Sequence, residues 1–192
     1  MIPAPSLAPP GAGLPFPESL VARVLFAAKR RLGSRDAFAS QLRAERERLG
    51  QLVAAVPHER RGERVLIPRL RGLEDSSRHW SVWMTLDHLR ICNEAFAGVI
   101  QALVAEKVPP GRASTADVKP SPAADAAVEA AFATACASLE KVAHSAPGDL
   151  RTRSTFVHPW FGALDAFGWL ALAAHHMAIH RRQVEAIAAR LK

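Results

Sequence analysis

The chain has 192 residues, 49% of them hydrophobic, enough for one domain with a sizeable core. No apolar run approaches the length that spans a bilayer, which excludes a helical membrane protein. The formal net charge of +7 is almost all arginine, since the only lysines are Lys29, Lys107, Lys119, Lys141 and Lys192. That balance admits nucleic acid as a partner. No recognisable base-reading module or aromatic platform accompanies it, so solvated surface charge is the favoured reading. Cys92 and Cys136 stand far apart with no CxxC, which demands no disulfide and points to the reducing cytoplasm.

Residues 1–17 are rich in Pro, Ala and Gly, with neither a basic cluster nor a continuous apolar stretch. They read as a weakly ordered arm rather than a secretory signal, and residues 18–192 as a single domain. An opening helical stretch runs from Pro17 to Leu32, with Gly33 to stop it and Ser34 to cap the next helix. The first core helix is expected over Arg35 to Val56, carrying Phe38, Leu42, Leu49 and Val53 on one face. A basic connection follows, containing Arg60, Arg61, Arg64, Arg69 and Arg71, with a short extended piece expected around Val65 to Ile67. A second helix is expected from Ser76 or Ser77 to Lys107, with Trp80, Met84, Ile91, Ala95 and Ala102 as its buried stripe. After a Pro-containing linker comes an Ala-rich third helix, about Pro122 to His144. The fourth starts near Phe161 or Leu164 and runs to Leu191, with Trp169, Leu172, Ile179 and Ile187 inward. No strand pattern competes. The pattern predicts an all-α four-helix bundle with long loops and an N-terminal helical extension.

The fourth helix carries the most informative run, His175-His176-Met-Ala-Ile-His180-Arg-Arg-Gln183. His176 and His180 are four apart and share a helix face, as two imidazoles binding one divalent ion must. His175 and His180 are five apart and diverge by well over 100°. His176, His180 and Gln183 continue the stripe of Trp169, Leu172 and Ile187, so polar residues interrupt a core face for two turns. A buried imidazole without a partner is costly, so these side chains need hydrogen bonds or a metal. In the second helix His88 lies on the stripe Met84–His88–Ile91–Ala95, where a bundle ordinarily places a hydrophobe. Facing helices can bring the three imidazoles together. Three neutral imidazoles with one open position suit catalytic zinc, and imidazole also suits nickel. Gln183 is a candidate outer partner of a ligating imidazole. Met84, Ile91, Cys92 and His158 are candidates to line the adjoining substrate pocket. Cys92 is favoured as a small buried hydrophobe over a fourth ligand.

The segment Trp80-Ser-Val-Trp83-Met-Thr-Leu-Asp87-His88-Leu89 resembles the second helix of the DinB/YfiT-like superfamily. His176-x-x-x-His180-Arg181-x-Gln183 resembles its fourth-helix signature, and His158-Pro159-Trp160-Phe161-Gly162-Ala-Leu164 is similar to a lead-in found in some branches. The resemblance spans roughly Arg35 to Leu191. It implies an up-down-down-up bundle, a divalent metal held by His88, His176 and His180, and a homodimer. Its members include thiol-dependent S-transferases, a maleylpyruvate isomerase branch and metal-dependent hydrolases.

The expected function is therefore metal-dependent chemistry on a small molecule, with activated water or a low-molecular-weight thiol as nucleophile. No Glu stands inside the His-x-x-x-His unit, which disfavours protease chemistry and leaves the general base unassigned. A non-catalytic metal- or ligand-binding bundle is the first alternative. A basic stress-response or nucleic-acid-associated protein is the second.

Overall fold

The computed structural model describes residues 5–191; residues 1–4 of the expected Pro-rich arm, and Lys192, lie outside them. Helix α1 spans Phe16–Leu32, with Pro17 in its first turn. Ser34 caps α2, Arg35–Ala54, its hydroxyl accepting from the Ala37 amide at 3.2 Å. Helices α3 (Val82–Val104), α4 (Ala127–Ser145) and α5 (Ala166–Ala188) complete the set. None of the described helices is long and apolar enough to cross a membrane.

Side-chain pairs fix the directions. Along α2 and α5, Phe38 meets Phe167 at 5.5 Å, Gln41 donates to the Ala174 carbonyl at 3.2 Å and Arg181 pairs with Glu45 at 2.8 Å, so these helices are parallel. Helices α3 and α4 are also parallel, since Trp83 donates to Glu129 at 2.8 Å and Asn93 to the Cys136 sulfur at 3.4 Å. Arg46–Glu140 (3.3 Å) and Arg43–His144 (3.2 Å) run α2 antiparallel to α4. Phe96–Trp169 (5.9 Å) and His88–His180 (3.1 Å) do the same for α3 and α5. The result is an up-down-down-up four-helix bundle of α2 to α5, with α1 as an N-terminal helical extension. Its core runs through Leu49, Leu89, Ile100, Leu103, Leu170 and Ile187, all 0% exposed.

Three boundaries differ from the sequence expectation, two of them because a strand takes the residues expected to open the helix. The second core helix begins at Val82 rather than Ser76 or Ser77, because His79–Trp80 forms strand β2, paired antiparallel with β1 at Val65–Leu66. Ser81 is the cap, accepting from the Met84 amide at 3.0 Å. The fourth helix begins at Ala166, because a hairpin of β3 (Phe156–His158) and β4 (Gly162–Leu164) uses the stretch expected to open it. Gly162 has φ +73° at that turn, which glycine adopts without steric cost, and Asp165 then caps the helix by accepting from Gly168 at 2.8 Å. Helix α4 starts at Ala127 rather than near Pro122, leaving a longer linker between α3 and α4.

Candidate metal centre

His88 lies in the second turn of α3, and His176 and His180 lie on successive turns of antiparallel α5. The His88 Nε2 atom is 3.1 Å from Nε2 of His176 and 3.1 Å from Nε2 of His180. The three residues form a cluster whose nitrogens all lie within 4.8 Å of one another. Ligands about 2.0–2.1 Å from a tetrahedral zinc would stand about 3.3 Å apart, close to these separations.

The outer hydrogen bonds settle two of the three tautomers. Gln183 Nε2 donates to the Ser77 carbonyl at 2.7 Å, which turns its Oε1 toward His180 Nδ1 at 2.6 Å. An amide oxygen only accepts, so His180 carries its proton on Nδ1 and leaves a lone pair on Nε2. His88 Nδ1 lies 2.6 Å from the Val118 carbonyl, and the same logic puts an Nε2 lone pair on His88. Two lone pairs therefore face each other at 3.1 Å, an arrangement a cation relieves. His176 Nδ1 is buried with no hydrogen-bond partner among the described residues, so its tautomer is free to follow the cluster. Burial pushes His88 down to about 4, and burial with neighbouring imidazoles pushes His176 and His180 well below the usual histidine value. All three are neutral at pH 7, the form that ligates metal. The donor set fits a divalent ion.

Aromatic rings enclose the cluster. Trp80 stacks on His180 (centroids 6.2 Å apart, planes 9° apart) and tilts against His88 at 5.1 Å, while Phe96 meets His176 edge-on at 5.5 Å. The cluster opens into a cavity of about 320 Å³ between α3, α5, the α3–α4 linker and the β3–β4 hairpin.

Cys92 and His158 line this cavity, but Met84 and Ile91 do not. The lining positions of α3 run from His88 through Cys92, Ala95 and Phe96 to Val99, toward the C-terminus of the helix. Met84 sits one turn the other way, on the side occupied by Trp80, and Ile91 lies about 60° round the helix from His88, away from Cys92. Cys92 Sγ is 3.7–3.8 Å from the His88 ring nitrogens, and burial raises its pKa so that it remains a thiol. His158 Nδ1 accepts from the Trp160 amide at 3.2 Å, and burial pushes its pKa down to about 4. His175 also lines the cavity rather than joining the cluster, with its pKa likewise pushed down to about 4, mainly by burial.

Other contributors left little trace in the sequence. Val118 holds His88 through a backbone carbonyl, which no side-chain pattern can announce. Asp87 is buried rather than solvated, and it ties the same linker to α3 by accepting from the Ser121 amide at 2.8 Å. Buried Glu74 accepts from Lys119 (2.5 Å) and Thr115 (2.8 Å). Burial alone would raise its pKa, but these partners hold it below the usual value. The arginine-rich connection is largely tied into the fold. Arg61 pairs with Glu129 at 2.9 Å, Arg60 with Glu63 at 3.0 Å and Arg69 with Glu18 at 2.5 Å, and Arg64 donates to the His79 carbonyl at 3.1 Å.

Known proteins give the same outline. The chain is similar in fold to the crystal structure of TT2238, a four-helix bundle protein, with a TM-score of 0.58 and 24% identity over 80% of this chain and 99% of that one. No curated protein matches the chain. The sequence profile of the DinB superfamily matches residues 41–184, a span that includes all three clustered histidines. On that match the chain belongs to the DinB superfamily.

Proposed function

We propose that this protein is a metal-dependent enzyme acting on a small molecule, as a hydrolase or a thiol S-transferase, with His88, His176 and His180 as the metal ligands. The observation that carries the reading is the convergence of three neutral imidazoles, two with their Nε2 lone pairs fixed inward, at the end of a cavity. A structural site closes its coordination with protein ligands, whereas three ligands beside a cavity leave a position for exchange. Zinc or nickel suits the donor set. A divalent ion held there supplies Lewis acidity, polarising a substrate and making water or a low-molecular-weight thiol nucleophilic at neutral pH.

The chain's own residues do the rest. Val118 and Gln183 hold His88 and His180 in their ligating tautomers. Trp80 and Phe96 keep bulk water off the imidazoles. The Glu74 carboxylate is taken up by Lys119 and Thr115 and stays ionised, so it orders the linker rather than accepting a substrate proton. Free Cys92 and Cys136 suit a reducing cytoplasm. We further propose that the protein works as a homodimer, supported by the exposed apolar face of α1.

The test is metal analysis of untagged protein purified without chelating resin, then turnover assays with thiols and electrophilic acceptors beside simple esters and amides. About one zinc or nickel per chain is expected, lost in His176→Ala and retained in His175→Ala, with activity lost in His180→Ala. Equal metal loss from both neighbours would overturn the ligand assignment. Metal without turnover of any substrate class would leave a non-catalytic metal-binding bundle.

A further inference from the structure

The cavity beside the imidazoles is unusual in what it withholds from a ligand. Its wall is built from Phe96, Phe156, Phe161, Trp169, Leu172 and Ile179, contributed by α3, α5 and the β3–β4 hairpin. Charged groups reach it in two places. Glu74 and Lys119 are bonded to each other at 2.5 Å, and Lys119 also lies over the Trp80 ring at 5.6 Å. Arg112 and Asp117 are exposed members of the linker. No buried charge in the wall is therefore left over for a substrate carboxylate, phosphate or ammonium. Ser77, Ser114 and Thr115 also line it, but their hydroxyls are engaged by Lys119, the Ala116 amide and Glu74, so the remaining polarity is imidazole. His158 stacks on Phe161 at 5.2 Å and meets Trp169 edge-on at 5.6 Å. Because its Nδ1 accepts from the Trp160 amide, the neutral ring keeps its proton on Nε2, which has no protein partner among the described residues.

We propose that the site takes an uncharged, largely apolar substrate: a single ring or branched hydrocarbon body bearing one neutral acceptor group, such as a carbonyl, that accepts from the free His158 Nε2–H. This deepens the enzymatic reading and rests on it only for which end of the ligand reacts. Size and solvation both support the class. A dry cavity of about 150 Å³ already accepts benzene, and this one is about 320 Å³. A charged ligand would lose its hydration against aromatic walls and find no unpaired buried counter-charge, which costs far more than burying a hydrogen-bonded neutral group.

Binding to metal-free protein tests this independently of turnover. Acetophenone, benzoate, benzylamine and cysteine are titrated at pH 7.5, followed by tryptophan fluorescence and ligand-observed NMR. Acetophenone is expected to bind at least tenfold tighter than the other three. Ala95→Trp, at an exposed position lining the cavity, should abolish its binding while circular dichroism stays unchanged. His158→Phe should reduce the preference for acetophenone over ethylbenzene by about fivefold. Benzoate or cysteine binding as tightly as acetophenone, or no acetophenone binding at all, overturns the proposal. Failure here with metal still lost in His176→Ala would sink the substrate class alone, whereas acetophenone binding without any metal uptake would sink the metalloenzyme reading alone.

Discussion

Gln183 acts on His180 from behind, spending its amide on the Ser77 carbonyl so that its oxygen can accept only from Nδ1. Gln183→Leu keeps the side-chain bulk and removes both contacts. Metal affinity should fall about 10–100-fold, the usual effect of losing an outer partner of a ligating imidazole. Helical content should be unchanged. Chelator competition measures this, and an unaltered affinity would mean that Gln183 is only core filling. Its place in the cluster was legible in the sequence, as were those of His88, His176 and His180. Each is a polar residue on a helix stripe that otherwise carries hydrophobes, and period 3.6 alone fixes which of them share a face. Val118 was not legible, because a backbone carbonyl has no residue signature. The roles expected of Met84 and Ile91 failed for a related reason. Periodicity gives a face of α3, but not that Trp80 covers its Met84 end or that the cavity meets its Cys92 edge rather than its Ile91 edge.

At the scale of elements, the helices were legible from their apolar stripes, and the junction of α1 and α2 from Gly33 and Ser34. Of the two strand pairs only β1 was legible, within the extended piece expected at Val65 to Ile67. Val65–Leu66 and Phe156–His158 are too short to show alternation, and their pairing partners are residues that also fit a helix start. The α3–α5 interface has a further property that follows from placing imidazoles where hydrophobes usually sit. His88 titrates near 4 in the folded chain, against 6.5 for the ordinary group, and His176 and His180 lie well below 6.5. Between those values the unfolded chain binds protons that the folded chain refuses. Stability of the metal-free protein should therefore be flat above pH 6.5 and fall as pH drops from 6.5 toward 4. The slope is about 1.4 kcal/mol per pH unit for each histidine held neutral. Glu74, whose pKa is lowered, keeps its contribution until lower pH. Urea unfolding at pH 7.5, 6.5, 5.5 and 4.5 reads this directly. A midpoint that stays constant across that range would show that the imidazoles are not buried neutral.

For the whole molecule, the open question is what α1 covers or is covered by. One side of it is fastened to the bundle: Phe26 packs on Phe161 at 4.4 Å, Glu18 accepts from the Gly72 amide at 2.6 Å, and Arg23 donates to the Trp160 carbonyl at 2.6 Å. The other side carries Phe16, Leu20, Val21, Val24, Leu25 and Leu32, all between 53% and 86% exposed. At 100° per residue these six fall within one half-cylinder of the helix, interrupted by a single charge, Arg31. They expose on the order of 700 Å² of apolar side chain, more than the largest patch of a typical monomer and near the ~800 Å² per partner of a standard interface. A second copy of the same face is self-complementary under a two-fold axis, so α1 against α1 of a partner is the expected contact. Sedimentation equilibrium should give twice the 20.8 kDa chain mass for the wild type. Leu20→Glu combined with Leu25→Glu should return the mass to that of one chain. Because the three clustered histidines come from one chain, metal content of the monomeric variant should be unchanged. A wild type that sediments as a single chain at tens of micromolar, or a charged variant that stays dimeric, would take the interface off this helix.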